Sequence, residues 1–157
     1  MAQAEREPGV RYHIVIGDWQ ALANDAGAVR REVFVLEQQV PEELEMDEMD
    51  AHGVHAVAYD SAGVAVATGR LLPDAHIGRM AVRKPARGSG IGGALLTRLM
   101  QIAQQRGDAE VVLSAQIQAE AFYRRHGFAR EGAEYLDAGI VHVTMRHRFA
   151  TQVNGIR

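Results

Sequence analysis

Residues 77–96, IGRMAVRKPARGSGIGGALL, constrain the fold more than any other stretch of this chain. An apolar run of strand character leads into a turn carrying Gly88, Gly90, Gly92 and Gly93, and the turn opens a helix. Such a turn aims several backbone N–H groups at one place. The helix behind it adds its own unpaired N–H groups and about half a positive charge of macrodipole. A phosphate or pyrophosphate is the guest that suits this arrangement.

The chain has 157 residues, 47% of them apolar, enough for one domain with a real core. We read residues 1–157 as a single domain, its core at about 10–149, with frayed ends at 1–9 and 150–157. The absence of cysteine excludes disulfides, thiolate metal sites and a cysteine nucleophile. No apolar run approaches the roughly 18 residues of a membrane span. The opening MAQAEREP has no apolar signal-peptide segment, so a cytoplasmic protein without a membrane partner is expected. A net charge of −3 with no basic block argues against nucleic acid as the main partner.

Hydrophobic periodicity gives the order βα-βββ-α-β-α-ββ. Val10–Ile16 reads as a strand, and Asp18 caps a helix over Trp19–Glu37 whose apolar stripe is Leu22, Ala26, Val29, Val33 and Leu36. Val54–Tyr59 and Val64–Leu72 form a hairpin around Asp60-Ser61-Ala62-Gly63, and His76–Val82 is the strand before the glycine turn. A helix over Gly90–Arg106 buries Ile91, Leu95, Leu99 and Ile102 and ends at Gly107. Glu110–Ala115 is a strand, Gln118–His126 a short helix closed by Gly127, and Phe128–Tyr135 and Ile140–Arg148 complete the sheet.

Gly88, Gly90 and Gly93 satisfy the dinucleotide pattern G-x-G-x-x-G, but in the wrong context. The turn follows a hairpin rather than opening a first β-α-β unit. Asp108 and Glu110 stand just before and at the start of the next strand instead of at its end, which disfavours a nucleotide-binding oxidoreductase. A P-loop is excluded because no Gly-Lys-Ser/Thr follows.

Arg87-x-x-Gly90-x-Gly92, then a strand, then Ala121-Phe-Tyr-Arg-Arg-His-Gly-Phe128 resembles the GNAT family of acyl-CoA N-acyltransferases. Arg31–Gln38, the acidic segment to Asp50, Ile77-Gly-Arg79, Ala115-Gln116 and Gly139-Ile-Val-His142 are similar to its ElaA-like branch. The resemblance covers roughly residues 12–149. It implies an α/β (α+β) fold with a central mixed, mostly antiparallel sheet of about seven strands, flanked by helices. Within that sheet a parallel pair, His76–Val82 and Glu110–Ala115, splays apart to admit acetyl-CoA.

The same resemblance implies the site residues. Backbone groups of Met80, Ala81 and Val82 would pair with the pantetheine arm, and the N–H of Ala81 or Val82 would face the thioester oxygen. Amides of Arg87, Gly88, Ser89, Gly90, Ile91, Gly92 and Gly93 would hold the pyrophosphate, where a Cβ would block close approach. Tyr123 would hydrogen-bond the leaving thiolate. Where many members carry asparagine after the strand, this chain has Gln116.

An amine acceptor with a pKa near 10.4 is neutral in only about one part in a thousand at pH 7, so a base is needed. Glu37, His142 and His76 are the candidates, with a water relay as a further route; His76 by strand alternation shares a face with Gly78 and Met80.

Glu42, Glu43, Glu45, Asp47, Glu48 and Asp50 crowd one segment. It reads as a solvated acidic loop, as an electrostatic funnel for a cationic amine, or as a metal site with His52 or His55. Its spacing fails the EF-hand pattern, and no metal is expected. The expected activity is acetyl transfer from acetyl-CoA to a primary amine of a small molecule or peptide by direct attack. The rival is a non-catalytic acyl-CoA-binding sensor; the sequence leaves the oligomeric state open, a homodimer being possible on base rates alone.

Overall fold

The computed structural model describes residues 6–7 and 10–150. The expectation of frayed ends concerns residues that lie largely outside this range. Strands β1 (Arg6–Glu7) and β2 (Val10–Arg11) form a short ladder. Then follow β3 (His13–Gly17), α1 (Trp19–Arg30), α2 (Glu42–Glu45), β4 (Val54–Tyr59), β5 (Ala65–Leu71) and β6 (Ile77–Val82). The second half comprises α3 (Ile91–Gln105), β7 (Glu110–Gln116), α4 (Glu120–Arg125), β8 (Ala129–Asp137) and β9 (Ile140–Arg148).

Seven of these strands make two antiparallel sheets, ordered β3-β4-β5-β6 and β7-β9-β8. A parallel bridge between His76 and Val112 joins them, with the Val112 N–H donating to the Ala75 carbonyl at 3.1 Å. Beyond that bridge β6 and β7 diverge without further ladder pairing among the described residues. The expected mostly antiparallel sheet with a splayed parallel pair is therefore the architecture found.

Strand alternation sorts the core onto two faces. Ala56 and Ala58 of β4 lie in the cluster built on Leu95, Leu96 and Leu99 of α3, while Val57 packs with Leu22 and Ala26 of α1. Helices thus cover both sides. No helix among the described residues is long and apolar enough to cross a membrane.

Asp18 caps α1 as expected, its carboxylate accepting the Ala21 N–H at 2.9 Å. The α-helix expected to run to Glu37 stops at Arg30, and Arg31–Glu37 continues it as a π-helix. The Gln38 N–H reaches back five residues to the Val33 carbonyl at 3.2 Å. This wider winding rotates the end of the stripe, so Leu36, expected in the core, is 68% exposed.

Candidate functional site

The cleft starts where β6 and β7 part. On the inner side of β6 the Leu72 N–H bonds the His76 carbonyl, and farther along the Arg83 N–H bonds the Val66 carbonyl, both at 2.8 Å. The first pairing ties even-numbered residues of β6 to β5, the second ties odd-numbered ones. The register change falls between the pairs Arg70–Gly78 and Thr68–Ala81, so Arg79 and Met80 together oppose Gly69. Alternation beyond this bulge assigns the Ala81 N–H to β5 and turns the Val82 N–H out toward the cleft. Side chains change phase too: Ile77 packs with the α3 cluster, Ala81 with Val29 and Val33. His76 and Met80 therefore do not share a face, because the bulge interrupts the alternation assumed from sequence.

Two residues make the bulge possible. Gly69 leaves the space that Met80 occupies, since a Cβ there would lie 2.4 Å from Met80 Sδ. Arg79 adopts φ +52°, a left-handed conformation that costs a side-chain-bearing residue roughly 1–2 kcal/mol.

The glycine turn continues the open edge. Gly88 and Gly90 have φ +80° and +88°, the conformation for which glycine is the default. The first helical bond of α3 is the Ala94 N–H to the Gly90 carbonyl at 3.1 Å, and Gly90 at the N-cap has no side chain to offer. Among the described residues the amides of Gly90, Gly92 and Gly93 are left for an outside acceptor. Gly92 and Gly93 have a second reason to be small. A Cβ on Gly93 would press the His126 ring at 3.0 Å, and one on Gly92 would touch Val82 and Phe122. These two glycines let α3 close on α4, a packing role that the sequence reading assigned wholly to phosphate approach.

Tyr123 of α4 is buried, edge-on to Phe122 and Phe128, and lines the cleft. Its hydroxyl has no hydrogen-bond partner among the described residues, and burial pushes its pKa up to about 12. His142 of β9 is buried and stacks on Tyr135, whose hydroxyl bonds Ser114. A carbonyl can only accept, so the 2.7 Å contact from His142 Nδ1 to the Ile140 carbonyl puts the proton on Nδ1. The neutral ring then carries its lone pair on Nε2. His76 stands at the cleft wall, half-exposed and 3.1 Å from Asp74.

The π-helix brings together residues that the sequence kept apart. Glu37 pairs with Arg87 at 2.7 Å, while Arg87 Nε donates to the Val82 carbonyl at 2.8 Å. The next residue, Gln38, accepts from Gln116 Nε2 at 2.8 Å, and Gln118 donates to Gln116 Oε1 at 2.7 Å. One helix end is thus tied to both cleft walls. Gln38 ends the Arg31–Gln38 stretch but its place in the site was missed in the sequence, because its partner is 78 positions away. Arg98 of α3 and Arg125 of α4, also missed, line the cleft, with no ion pair among the described residues. The whole cleft measures ≈ 1520 Å³.

The acidic segment is not simply a solvated loop. Glu45 and Asp50 are 4% and 2% exposed, and Arg30, at 1%, binds both at 2.9 Å. Arg70 joins Asp50 at 2.8 Å and Asp47 at 2.9 Å. Arg79 reaches Asp47 at 2.9 Å, the Glu45 carboxylate at 3.2 Å and the Glu45 carbonyl at 2.9 Å. Burial raises the Glu45 carboxyl above its ordinary range despite Arg79 and Arg30. Burial also opposes Asp50 ionisation, but hydrogen bonds and charge from Arg30 and Arg70 bring its net value below the ordinary one. Glu42 and Glu43 remain exposed.

The chain matches the family model of the acetyltransferase (GNAT) domain over residues 20–149. It is 38% identical over 134 residues to a Bacillus subtilis protein named as the uncharacterized N-acetyltransferase YjcF, covering 83% of this chain and 96% of that one. The fold is similar to that of an acyl-CoA N-acyltransferase from Pseudomonas aeruginosa, with TM-score 0.77 and 32% identity over 87% of this chain and 99% of the other. It also resembles Escherichia coli ElaA in fold, with TM-score 0.78 and 23% identity over 87% and 99% of the two chains.

Proposed function

Because this chain belongs to the GNAT acetyltransferase family, we propose that its cleft takes acetyl-CoA between β6 and β7 and passes the acetyl group directly to a primary amine of a small molecule or peptide. The observation that carries this reading is the continuity of unpaired donors from the outer edge of β6 into the first turn of α3. A pantetheine arm is an extended chain with amides, and Met80 to Val82 offer it a strand edge. The turn from Gly88 to Gly93 offers a pyrophosphate its free amides and the helix dipole, whereas the Arg87 amide, expected to join them, is spent on the Lys84 carbonyl at 3.2 Å. Gln116 supplies a side-chain amide on the opposite wall once Gln38 yields it.

The Val82 N–H faces the cleft and donates to the thioester oxygen as that oxygen gains charge. The Ala81 amide, committed to β5, contributes through the shape of the strand. Tyr123, with its pKa near 12, stays protonated and donates a hydrogen bond to the departing sulfur. Full proton transfer to a thiolate of pKa near 8.5 would run uphill by about 5 kcal/mol, so stabilisation rather than transfer is its role. His142 Nε2 takes the amine proton, directly or through water. Glu37, held by Arg87, is the second acceptor on that path.

Titration calorimetry with acetyl-CoA, CoA and NAD tests the donor. Both CoA species bind, NAD does not, and Gly90→Trp abolishes binding because tryptophan is strained at φ +88°. With an amine found by screening, Tyr123→Phe lowers kcat by about 10²-fold with the acetyl-CoA dissociation constant unchanged. Failure of wild type to bind any CoA species overturns the reading.

A further inference from the structure

The bulge in β6 decides which amide faces the cleft, and its anchor is an ion cluster whose Arg79, Glu45 and Arg70 stand in the cleft wall. Without the extra residue, the even-numbered pairing set at His76 would continue along β6. Val82 would then spend its N–H on β5, and Ala81 would face outward. The left-handed conformation at Arg79 creates this change of phase, and that residue is not a glycine. Its guanidinium is held by Asp47 and by both the carboxylate and the carbonyl of Glu45. Arg70, which stands opposite Gly78 on β5, is held by Asp47 and Asp50 of the same segment. Arg30 from α1 binds Glu45 and Asp50 from behind. The two strands that flank the bulge are thus gripped by one segment, at a point where three arginines meet three carboxylates.

We propose that Arg79, clamped by Glu45 and Asp47, is a positioning residue that holds the β6 bulge and so aims the Val82 amide at the acyl group. The inference rests on the acetyl-CoA reading above. It assigns the acidic segment a catalytic purpose exerted through Arg79. The clamp acts on the part of the cleft that meets the acetyl carbonyl, and leaves the glycine turn that meets the pyrophosphate untouched.

The test is a comparison of acetyl-CoA with CoA on 15N-labelled wild type, Arg79→Gly and Arg79→Lys. Glycine tolerates φ +52° but cannot be clamped; lysine keeps the charge without the planar fork. In wild type the Val82 amide resonance shifts with acetyl-CoA and much less with CoA. In Arg79→Gly that acetyl-specific shift collapses, and the preference for acetyl-CoA over CoA falls by about threefold to tenfold, the worth of one hydrogen bond. The affinity for CoA itself stays at the wild-type value, and Arg79→Lys lies between. A loss of fold alone would lower both affinities together. If Arg79→Gly does not fold, Asp47→Asn loosens the exposed half of the clamp and shows the same selective loss in smaller measure. An intact acetyl-specific Val82 shift in a folded Arg79→Gly or Asp47→Asn protein overturns the clamp while leaving the acetyl-CoA reading standing. Wild type that binds neither CoA species overturns both.

Discussion

Arginine and carboxylate meet in two regions of this protein, with opposite surroundings. Beneath the β6 bulge, Arg30, Glu45 and Asp50 are each under 5% exposed, and Arg30 stands 2.9 Å from each of the two carboxylates. Across β8 and β9, Arg146 binds Glu131 at 2.8 Å and Arg130 binds Glu134 at 3.3 Å, with both carboxylate side chains half-exposed. The geometry is alike; the dielectric is not. Water solvates the surface ladder whether or not its pairs form, so those pairs add little. The buried cluster has given up its water, so each charge there depends on its partners. Charge invested in the first region shapes a strand, and in the second it keeps an edge strand soluble and unattractive to other strands.

The sharpest way to break this contrast is to remove the centre of the buried cluster. Arg30→Met takes one cation from two buried carboxylates and also loses the stacking of the guanidinium over Trp19 at 5.2 Å. The expected cost is about 3–5 kcal/mol, measured by urea unfolding. A loss below about 1 kcal/mol would mean that water enters the cluster and that it resembles the surface ladder after all.

A finer test separates the two carboxylates by pH. Asp50 is held below its ordinary value of 3.8 in the fold. Its contribution is therefore present above that value and lost as pH falls through the lower folded one. The stability gap between wild type and Asp50→Asn is widest near neutrality and closes in acid. Glu45 runs the other way: its folded value lies above 4.5, so the fold favours its protonated form and loses that advantage as pH rises. Glu45→Gln accordingly gains on wild type as pH rises from about 4 to 7. Denaturant melts across that range check both slopes; parallel slopes for the two variants would refute the assignment.

The same contrast explains what the sequence could tell. The glycine turn, its helix, the hairpins and the caps at Asp18 and Gly107 are local events, decided by residues within one or two turns of each other. They were legible. So was the meeting of Tyr123, His142 and Gln116 with the turn at a single cleft, through the resemblance that fixed the order of strands. The buried cluster was not, because Arg30 finds its partners 15 and 20 residues away, across a segment whose composition reads as solvent-facing. Nor was the bulge, since nothing in Gly78-Arg79-Met80 announces a left-handed arginine. Its cause is the clamp, a tertiary effect. The π-helix belongs with these: its apolar spacing still reads as an α-helix, and Glu37 and Gln38 reach Arg87 and Gln116 only because the winding changes.

The smallest effect belongs to the surface ladder, and it is the control that gives the others meaning. Glu131→Gln removes an acceptor from Arg146, which keeps Glu110 as a second partner. The Glu131 carboxyl is held below its ordinary range, mainly by the Arg146 hydrogen bond. Whatever it adds is therefore present above that ordinary range and fades in acid, the same sign as Asp50. Solvent screening decides the size: the melting temperature at neutral pH matches wild type, and raising the salt concentration leaves the match unchanged. A clear drop in the melt, relieved by added salt, would show that β8 and β9 are held together by charge, and that the two regions differ in degree rather than in kind.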